Sequence, residues 1–481
     1  MTHPLFDKSD ETPVVRPIPD GAADIARALG QKPENTWWDY NAVYSAKSGM
    51  KFVDDTIGVV NEGVTTLARG GANALTLKLE DGFLDYQQKY VGVGKVLEVT
   101  HKRAPHDQFL YPEQSVYVQL AKCAEEDKSL KSAFMGAVIC GLLPVADTLE
   151  TADKLGAKTL INPEQTMRFN SKARIVEEAA EGRYNVAPHT VARNWDDIEN
   201  KLEELAGKAR DLGLDPQEAK YWVKFDNMAG GTGVTAYKPA SMSIDDVKDW
   251  IATGLYNAGK SPEDFMPVVF DIDIGALPNV NRILGNMNVQ AIVANNGVSI
   301  TGVTFQKTSD NGAYIGGGLP QTPEDKALAT EAYGWALPVL KDAQKKGYRG
   351  YAGIDVILCE EQDGKKRGYI LEMNGRLNSS TSLLSMSHKV ARDAKAPDAA
   401  ACNLSTQFKK PLKDFKSYMA AFNDVIYRAN ESDFEGVIPI IMKPAKDGGI
   451  GAVKTIAVAK TPERLAIVEK KYNNIVQHLP H

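Results

Sequence analysis

The chain has 481 residues, 43% apolar and 25% charged, proportions that exclude a disordered or fibrous protein and, at about 150 residues per domain, leave room for roughly three folding units. A net charge of −6 gives no global positive field for nucleic acid or an anionic membrane, so any anion site must be local. Four cysteines without C-x-x-C spacing exclude a disulfide scaffold and a thiolate zinc site. The longest apolar run, residues 133–146, is too short to span a bilayer, and the first residues lack a secretory pattern, which together predict a cytoplasmic protein.

Residues 1 to about 40, rich in Pro, Asp and Gly, read as an ordered arm or loop. From 52 to 160 helical stretches alternate with short apolar runs and end in FMGAVICGLLPV, the polar helix DTLETADKLG and AKTLINP, a βαβ unit that implies a parallel sheet. Ile198, Leu202, Leu205, Ala209 and Leu212 recur at steps of four and three, which predicts an amphipathic helix closed by Gly213. Next come the strand YWVKFD, the Gly-rich MAGGTGV and the strand VTAYK. A second amphipathic helix carries Ile244, Val247, Trp250, Ile251 and Leu255, and the alternating VVFDIDI follows. Hairpins are expected around Asn295-Asn296-Gly297 and across residues 350–374, with a further hairpin and a helix in the last eighty residues.

Three places carry chemistry. Gly230, Gly231 and Gly233 have the character of a phosphate-cradling loop. A hairpin turn also accounts for them, and the pattern G-x-G-x-x-A ending at Ala236 would suit a dinucleotide fold if a helix rather than VTAYKP followed. Lys224, in mid-strand six residues before the loop, costs burial unless an anion meets it. Gly254, Gly259, Lys260 and Ser261 match the P-loop pattern but end a helix rather than open one. In the second place, Asp355 lies on one strand while Glu372 and Asn374 share a face of the next. This hard-oxygen set suits Mg²⁺, and Arg376 beside it can face phosphates. In the third, Asp271 and Asp273 share a face of one strand and either can accept from a nucleotide or a substrate amine, or simply line a half-exposed edge. The histidines match no metal or triad spacing, and Arg282, Lys307 and Arg349 are basic residues near the expected cleft strands.

In their order along the chain, Lys172, Lys224 with its glycine loop, the acidic strand at 271–273, Asp355 and LEMNGR resemble the ATP-grasp superfamily over residues 160–385. The resemblance implies an α/β and α+β fold: a pre-ATP-grasp α/β domain (1–160, with the N-terminal arm), a lid subdomain (161–265), a metal-binding subdomain (266–400) and a C-terminal completion (401–481). It implies ATP held between two subdomains with two Mg²⁺ ions, and a carboxylate activated as an acylphosphate before an amine attacks. Lys172 and Lys224 are then the nucleotide lysines, Gly230, Gly231 and Gly233 the phosphate lid, and Asp355, Glu372 and Asn374 the metal ligands. Arg376 resembles the phosphate-facing arginine, while Asp271 and Asp273 stand where the superfamily usually has a Glu. The reaction expected is that of a carbon–nitrogen ligase acting on a small carboxylate and a small amine, with no nucleic-acid or membrane partner. The segment GAYIGGGLP is similar to peptide-forming ligases. A small-molecule kinase and a nucleotide-binding module without turnover are the alternatives, and a homodimer is compatible with either.

Overall fold

The computed structural model describes residues 8–39, 66–100, 116–141, 146–226, 233–257, 267–308, 314–445 and 448–479. Within these, the N-terminal part is a five-stranded sheet in the order Val96–Glu98, Asn73–Thr76, Thr36–Trp38, Val138–Cys140, Lys158–Thr159. Every pairing is parallel, so the connections must cross the faces of the sheet, and helices such as Ala146–Leu155 lie between the strands. The βαβ unit expected before residue 160 is present. The reading of residues 1–40 as an arm or loop fits residues 8–16, which lie along the third sheet and its helix Pro323–Lys345, but not 18–39: Thr36–Trp38 is the central strand, and Ile18, Ala22, Ala23, Ile25 and Ala26 are fully buried beside it. Gly21 and Gly30 flank a short helix, Ala22–Ala28, whose alanines allow close packing.

The second sheet has four antiparallel strands in the order His189–Ala192, Val268–Ile272, Tyr221–Phe225, Val234–Tyr237. Tyr221, Val223, Phe225, Val268, Phe270 and Ile272 form one core with Ile198, Leu202, Leu205 and Ala209 of the helix Asp197–Asp211 and with Val247 and Ile251 of the helix Ile244–Asn257. The boundary drawn at 265 therefore falls inside this unit, because Val268–Ile272 pairs on both sides within it. A strand that reads as opening the next unit is captured here by two open edges.

The third sheet has nine strands. Its path runs Lys366–Asn374, Gly350–Glu361, Val280–Ala294, Gly297–Thr308, Tyr314–Gly318, Ala400–Leu412, Ile450–Ala459, Gly436–Pro444, and Val14–Val15 pairs alongside Gly297–Thr308. The expected hairpins form: Ala294 faces Gly297 across a two-residue turn, Glu360 faces Lys366, and Gly436–Pro444 pairs with Ile450–Ala459 ahead of the helix Pro462–His478. The 23-residue helix Pro323–Lys345 covers one face, starting from a capping box at Thr322 and Asp325. The helix Ser379–Asp393 crosses the other face and joins the N-terminal unit through Arg69. This fully buried guanidinium donates to Pro19 O at 2.9 Å and Ser385 O at 3.2 Å, and burial lowers its pKa to about 10. No helix among the described residues is long and apolar enough to cross a membrane.

Gly254 lies inside the helix Ile244–Asn257, where an added Cβ would collide with the Phe225 ring. Its role is close helix–strand approach, while Gly259, Lys260 and Ser261 of the same sequence pattern lie outside the described residues. Gly254→Ala is expected to destabilise the protein by about 1–3 kcal/mol through overpacking, read as a fall in the urea midpoint. An unchanged midpoint would show that the helix can shift without loss.

Candidate active site

One wall of the site is the face of the four-stranded sheet opposite its core. Cross-strand register sets His189, Asp271 and Trp222 in one row and Val191, Val269 and Lys224 in the next. Lys224 and Asp271 form a buried ion pair, and Asp271 Oδ1 remains buried without a hydrogen-bond partner. Lys224 is thus held by a carboxylate as well as offered to an anion, so its removal alone would strand Asp271 in the interior. Asp273 lies one residue past the strand but keeps the face of Asp271, opposite Lys220 and against Trp222. The strand ends at Ile272, and Asp273 caps a short turn by accepting from Gly275 N at 2.8 Å and from Trp222 Nε1 at 2.9 Å. Lys220 completes this edge, 3.4 Å from Asp273 and over the Trp222 ring. Of the two aspartates, Asp271 is the one with an unused acceptor. The glycine segment joins two paired strands, with Phe225 N donating to Gly233 O at 2.8 Å, so the helix a dinucleotide fold requires is absent. Gly230 and Gly231 lie outside the described residues.

The floor belongs to the nine-stranded sheet. Asp355 and Glu372 stand directly opposite each other on adjacent strands, and Asn374 stands opposite Gly353. Two carboxylates in contact, Asp355 buried and Glu372 partly so, resist double ionisation: burial first, and then Glu372, push the Asp355 carboxyl well above its ordinary range. Burial would raise Glu372 too, but Lys172, its hydrogen bond with Asp355 and Arg376 outweigh that and hold it below its ordinary value. Lys172 Nζ lies 2.9 Å from Glu372 and 3.2 Å from the carbonyl of Asp226, the last described residue before the glycine segment. Asn374 Nδ2 donates to Glu372 at 3.1 Å and approaches Asp355 Oδ2 at 3.4 Å, while its oxygen accepts from Arg376 Nη2 at 2.7 Å.

This chemistry fits a hard divalent ion. A pair of facing carboxylates bridged by an N–H group is a place where positive charge is already favoured, and rotating the Asn374 amide would add its oxygen to theirs. Among the described residues no cluster of three His, Cys, Asp or Glu side chains suits a metal, so the candidate ligands are these two carboxylates and the amide, Asp355, Glu372 and Asn374.

Sequence reasoning missed the amides behind Asp355. Asn288 Nδ2 and Gln306 Nε2, the latter at 2.9 Å, both donate to Asp355 Oδ1, and Gln290 bonds Asn288 in turn. The signal was present in NMNVQ, where polar residues alternate with the apolar Met287 and Val289 of the core. The three basic candidates are not brought here. Arg282 pairs with Glu360 on an exposed edge, and Arg349 bonds Asn295 beside the hairpin turn. Lys307 projects to the opposite face, near Cys402, because it alternates with Gln306.

A raised carboxyl pKa stabilises the fold below the ordinary Asp value, and that stabilisation is lost as pH rises through the raised value. At about pH 8 without divalent ions, Asp355→Asn is therefore expected to raise the unfolding free energy by about 1 kcal/mol, measured by urea denaturation. A loss of stability would mean that the facing carboxylates do not repel.

No family model and no curated protein sequence matches the chain. Solved structures match nearly its whole length. Biotin carboxylase from Campylobacter jejuni, in complex with β-γ-ATP, is 13% identical over 92% of this chain and 91% of its own, with a TM-score of 0.53. Phosphoribosylamine–glycine ligase from Thermotoga maritima is 14% identical over 91% and 96%, with a TM-score of 0.51. The biotin carboxylase domain dimer of Hydrogenobacter thermophilus 2-oxoglutarate carboxylase, in complex with MgADP, ADP and bicarbonate, is 12% identical over 92% and 90%, with a TM-score of 0.51. At such identity the likeness is one of architecture, and it is the architecture anticipated from the order of Lys172, Lys224, Asp355 and LEMNGR: the chain has the ATP-grasp fold.

Proposed function

We propose that the protein is an ATP-dependent ligase that joins a small carboxylate to a small amine through an acylphosphate, releasing ADP and phosphate. The observation that carries this reading is Lys172. One side chain reaches both Glu372 of the carboxylate pair and the carbonyl of Asp226, where the strand leads into the glycine segment, so that strand end and the candidate metal ligands meet around it. The structural neighbours add support, being complexes of ATP or ADP, or a ligase by name.

In this reading the nucleotide lies between the four-stranded and nine-stranded sheets. Asp271 supplies an acceptor for the nucleoside end, and its ion pair keeps Lys224 extended toward the phosphates. Lys172 neutralises charge at the terminal phosphates, and Gly230, Gly231 and Gly233 close over them and exclude water. Asp355, Glu372 and Asn374 would hold Mg²⁺, two ions in the full assembly, which would supply charge stabilisation to the transferring phosphoryl group. Arg376, now satisfied by Asn374 and by Leu377 O at 3.1 Å, is free to turn to a phosphate oxygen once the Asn374 amide rotates. Attack of the carboxylate on the γ-phosphorus forms the acylphosphate and releases ADP. The amine then displaces phosphate, giving an amide that can be a peptide bond. None of these steps needs a side-chain nucleophile. The substrates are small molecules handled in the cytoplasm, without a nucleic-acid or membrane partner, by a protein that can act as a homodimer.

Lys224→Met combined with Asp271→Asn, which removes both members of the ion pair, is expected to weaken ATP about tenfold or more while the protein remains folded, measured by calorimetric titration. Full retention of affinity would remove Lys224 from the nucleotide site.

Glu372→Gln should reduce turnover at least about a hundredfold and ATP affinity far less, because the lost interaction grows in the transition state. In a screen of acid and amine pairs, ADP release should depend on both, and with acid and ATP alone hydroxylamine should trap a hydroxamate. AMP and pyrophosphate as products would overturn the mechanism. A stable phosphorylated product without an amine requirement would indicate a small-molecule kinase, and no turnover a nucleotide-binding module.

A further inference from the structure

The amides behind Asp355 are oriented one by the next, starting from the backbone of a helix. The helix Ser379–Asp393 begins at Asn378, whose side-chain oxygen accepts the Ser380 N–H at 3.0 Å and is thereby fixed as an acceptor. Gln290 Nε2 donates to that oxygen at 3.0 Å. Gln290 Oε1 accepts from the Thr381 hydroxyl at 3.0 Å, and the Thr381 oxygen itself accepts the Asn378 N–H at 3.0 Å. Both ends of the Gln290 amide are specified in this way, since a flipped amide would set oxygen against oxygen at Asn378. The same Nε2 group also donates to Asn288 Oδ1, which leaves Asn288 Nδ2 as a donor, and it donates to Asp355 Oδ1.

The network therefore has a direction, and it ends on one oxygen of one carboxylate. Gln306 adds a second donor to the same atom, so Asp355 Oδ1 is fully occupied while Oδ2 is left toward Asn374 and Glu372. Gln290 and Thr381 have no exposed surface and touch no solvent that could substitute for either. The space they occupy exists because residue 353 is glycine: a side chain there would run into Gln290, into Asn378 Nδ2 at 2.6 Å and into Asn288 Nδ2 at 2.9 Å.

Resting on the ligase reading above, we propose that Gln290 and Thr381 are positioning residues: they hold Asn288 as a donor to Asp355 Oδ1 and so present Oδ2, on the Glu372 side, as the face of the carboxylate that receives a divalent cation. Gln306 acts on the same oxygen from the neighbouring strand. Helix start and metal ligand are thereby locked in one register.

The test is Mn²⁺ binding to the full chain, followed by the electron-paramagnetic signal of the free ion, with ATP binding in EDTA measured separately. Gln290→Met keeps size but removes the donors, and it should weaken Mn²⁺ about ten- to a hundredfold while leaving metal-free ATP binding unchanged. Thr381→Val should weaken Mn²⁺ about threefold or more, and Thr381→Ser, which retains the hydroxyl, should restore it. A folded Gln290→Met protein with wild-type Mn²⁺ affinity overturns the proposal. If Gln290→Met does not fold, the Thr381 pair decides, and equal affinities of the Val and Ser variants overturn it. Failure of the wild-type chain to bind Mn²⁺ would remove the metal site itself, and the ligase reading with it.

Discussion

Two carboxylates face to face on neighbouring strands, one buried and one half-buried, impose the constraint around which the rest of the site is arranged. Asp355 and Glu372 cannot both carry charge in an apolar sheet without positive partners, because the attraction of water is lost and their repulsion is little screened. The surroundings offer those partners in graded form: an ammonium from Lys172, amide N–H groups from Asn288, Gln306 and Asn374, and the guanidinium of Arg376 one residue further back. A structural pair with this much support would be an expensive way to hold two strands that are already fully paired. It is a reasonable way to keep a place for a cation.

The second wall repeats the theme with opposite emphasis. Lys224 is buried against Asp271, whose other oxygen has no partner, so the pair is electrostatically closed on one side and open on the other. Holding the lysine this way lowers the entropy lost when it meets an anion, since its side chain is already extended. Lys172 plays the complementary part at the junction of the two walls. Because it is engaged with Glu372, any ligand that competes for its charge alters the balance at the carboxylate pair.

The scaffold explains why these groups can be held so closely. Helix Ser379–Asp393 starts at the amides and meets the N-terminal unit at its middle, where Arg69 is fixed by the carbonyls of Pro19 and Ser385. Register does the rest: the hairpin of Gly350–Glu361 and Lys366–Asn374 brings Asp355, Glu372, Gly353 and Asn374 into two adjacent rows. Close approach is permitted by glycine at 353, and on the other wall at 254, where Phe225 fills the room a methyl group would take.

Local pattern was enough to recover the elements whose signal is contained within a dozen residues: the helix Asp197–Asp211 from its apolar steps, the two hairpins from their turns, and the shared face of Glu372 and Asn374 from the two-residue period of a strand. The chemistry of Lys224 was also legible, since a lysine alternating with Val223 and Phe225 demands a partner. What only the tertiary structure decided were matters of pairing between distant segments. Thr36–Trp38 became the centre of a sheet, Val268–Ile272 joined strands on both sides of it, and Asp273 was tied down by Gly275 and Trp222 while Asp271 kept an unused acceptor. The same holds for Asn288, Gln290 and Gln306 around the carboxylates, and for Arg282 and Arg349, which pair away from the cleft. An amide has no charge and either of its ends can bond, so its role depends on which atoms meet it. Those atoms come from residues up to 91 positions away, as Thr381 does for Gln290.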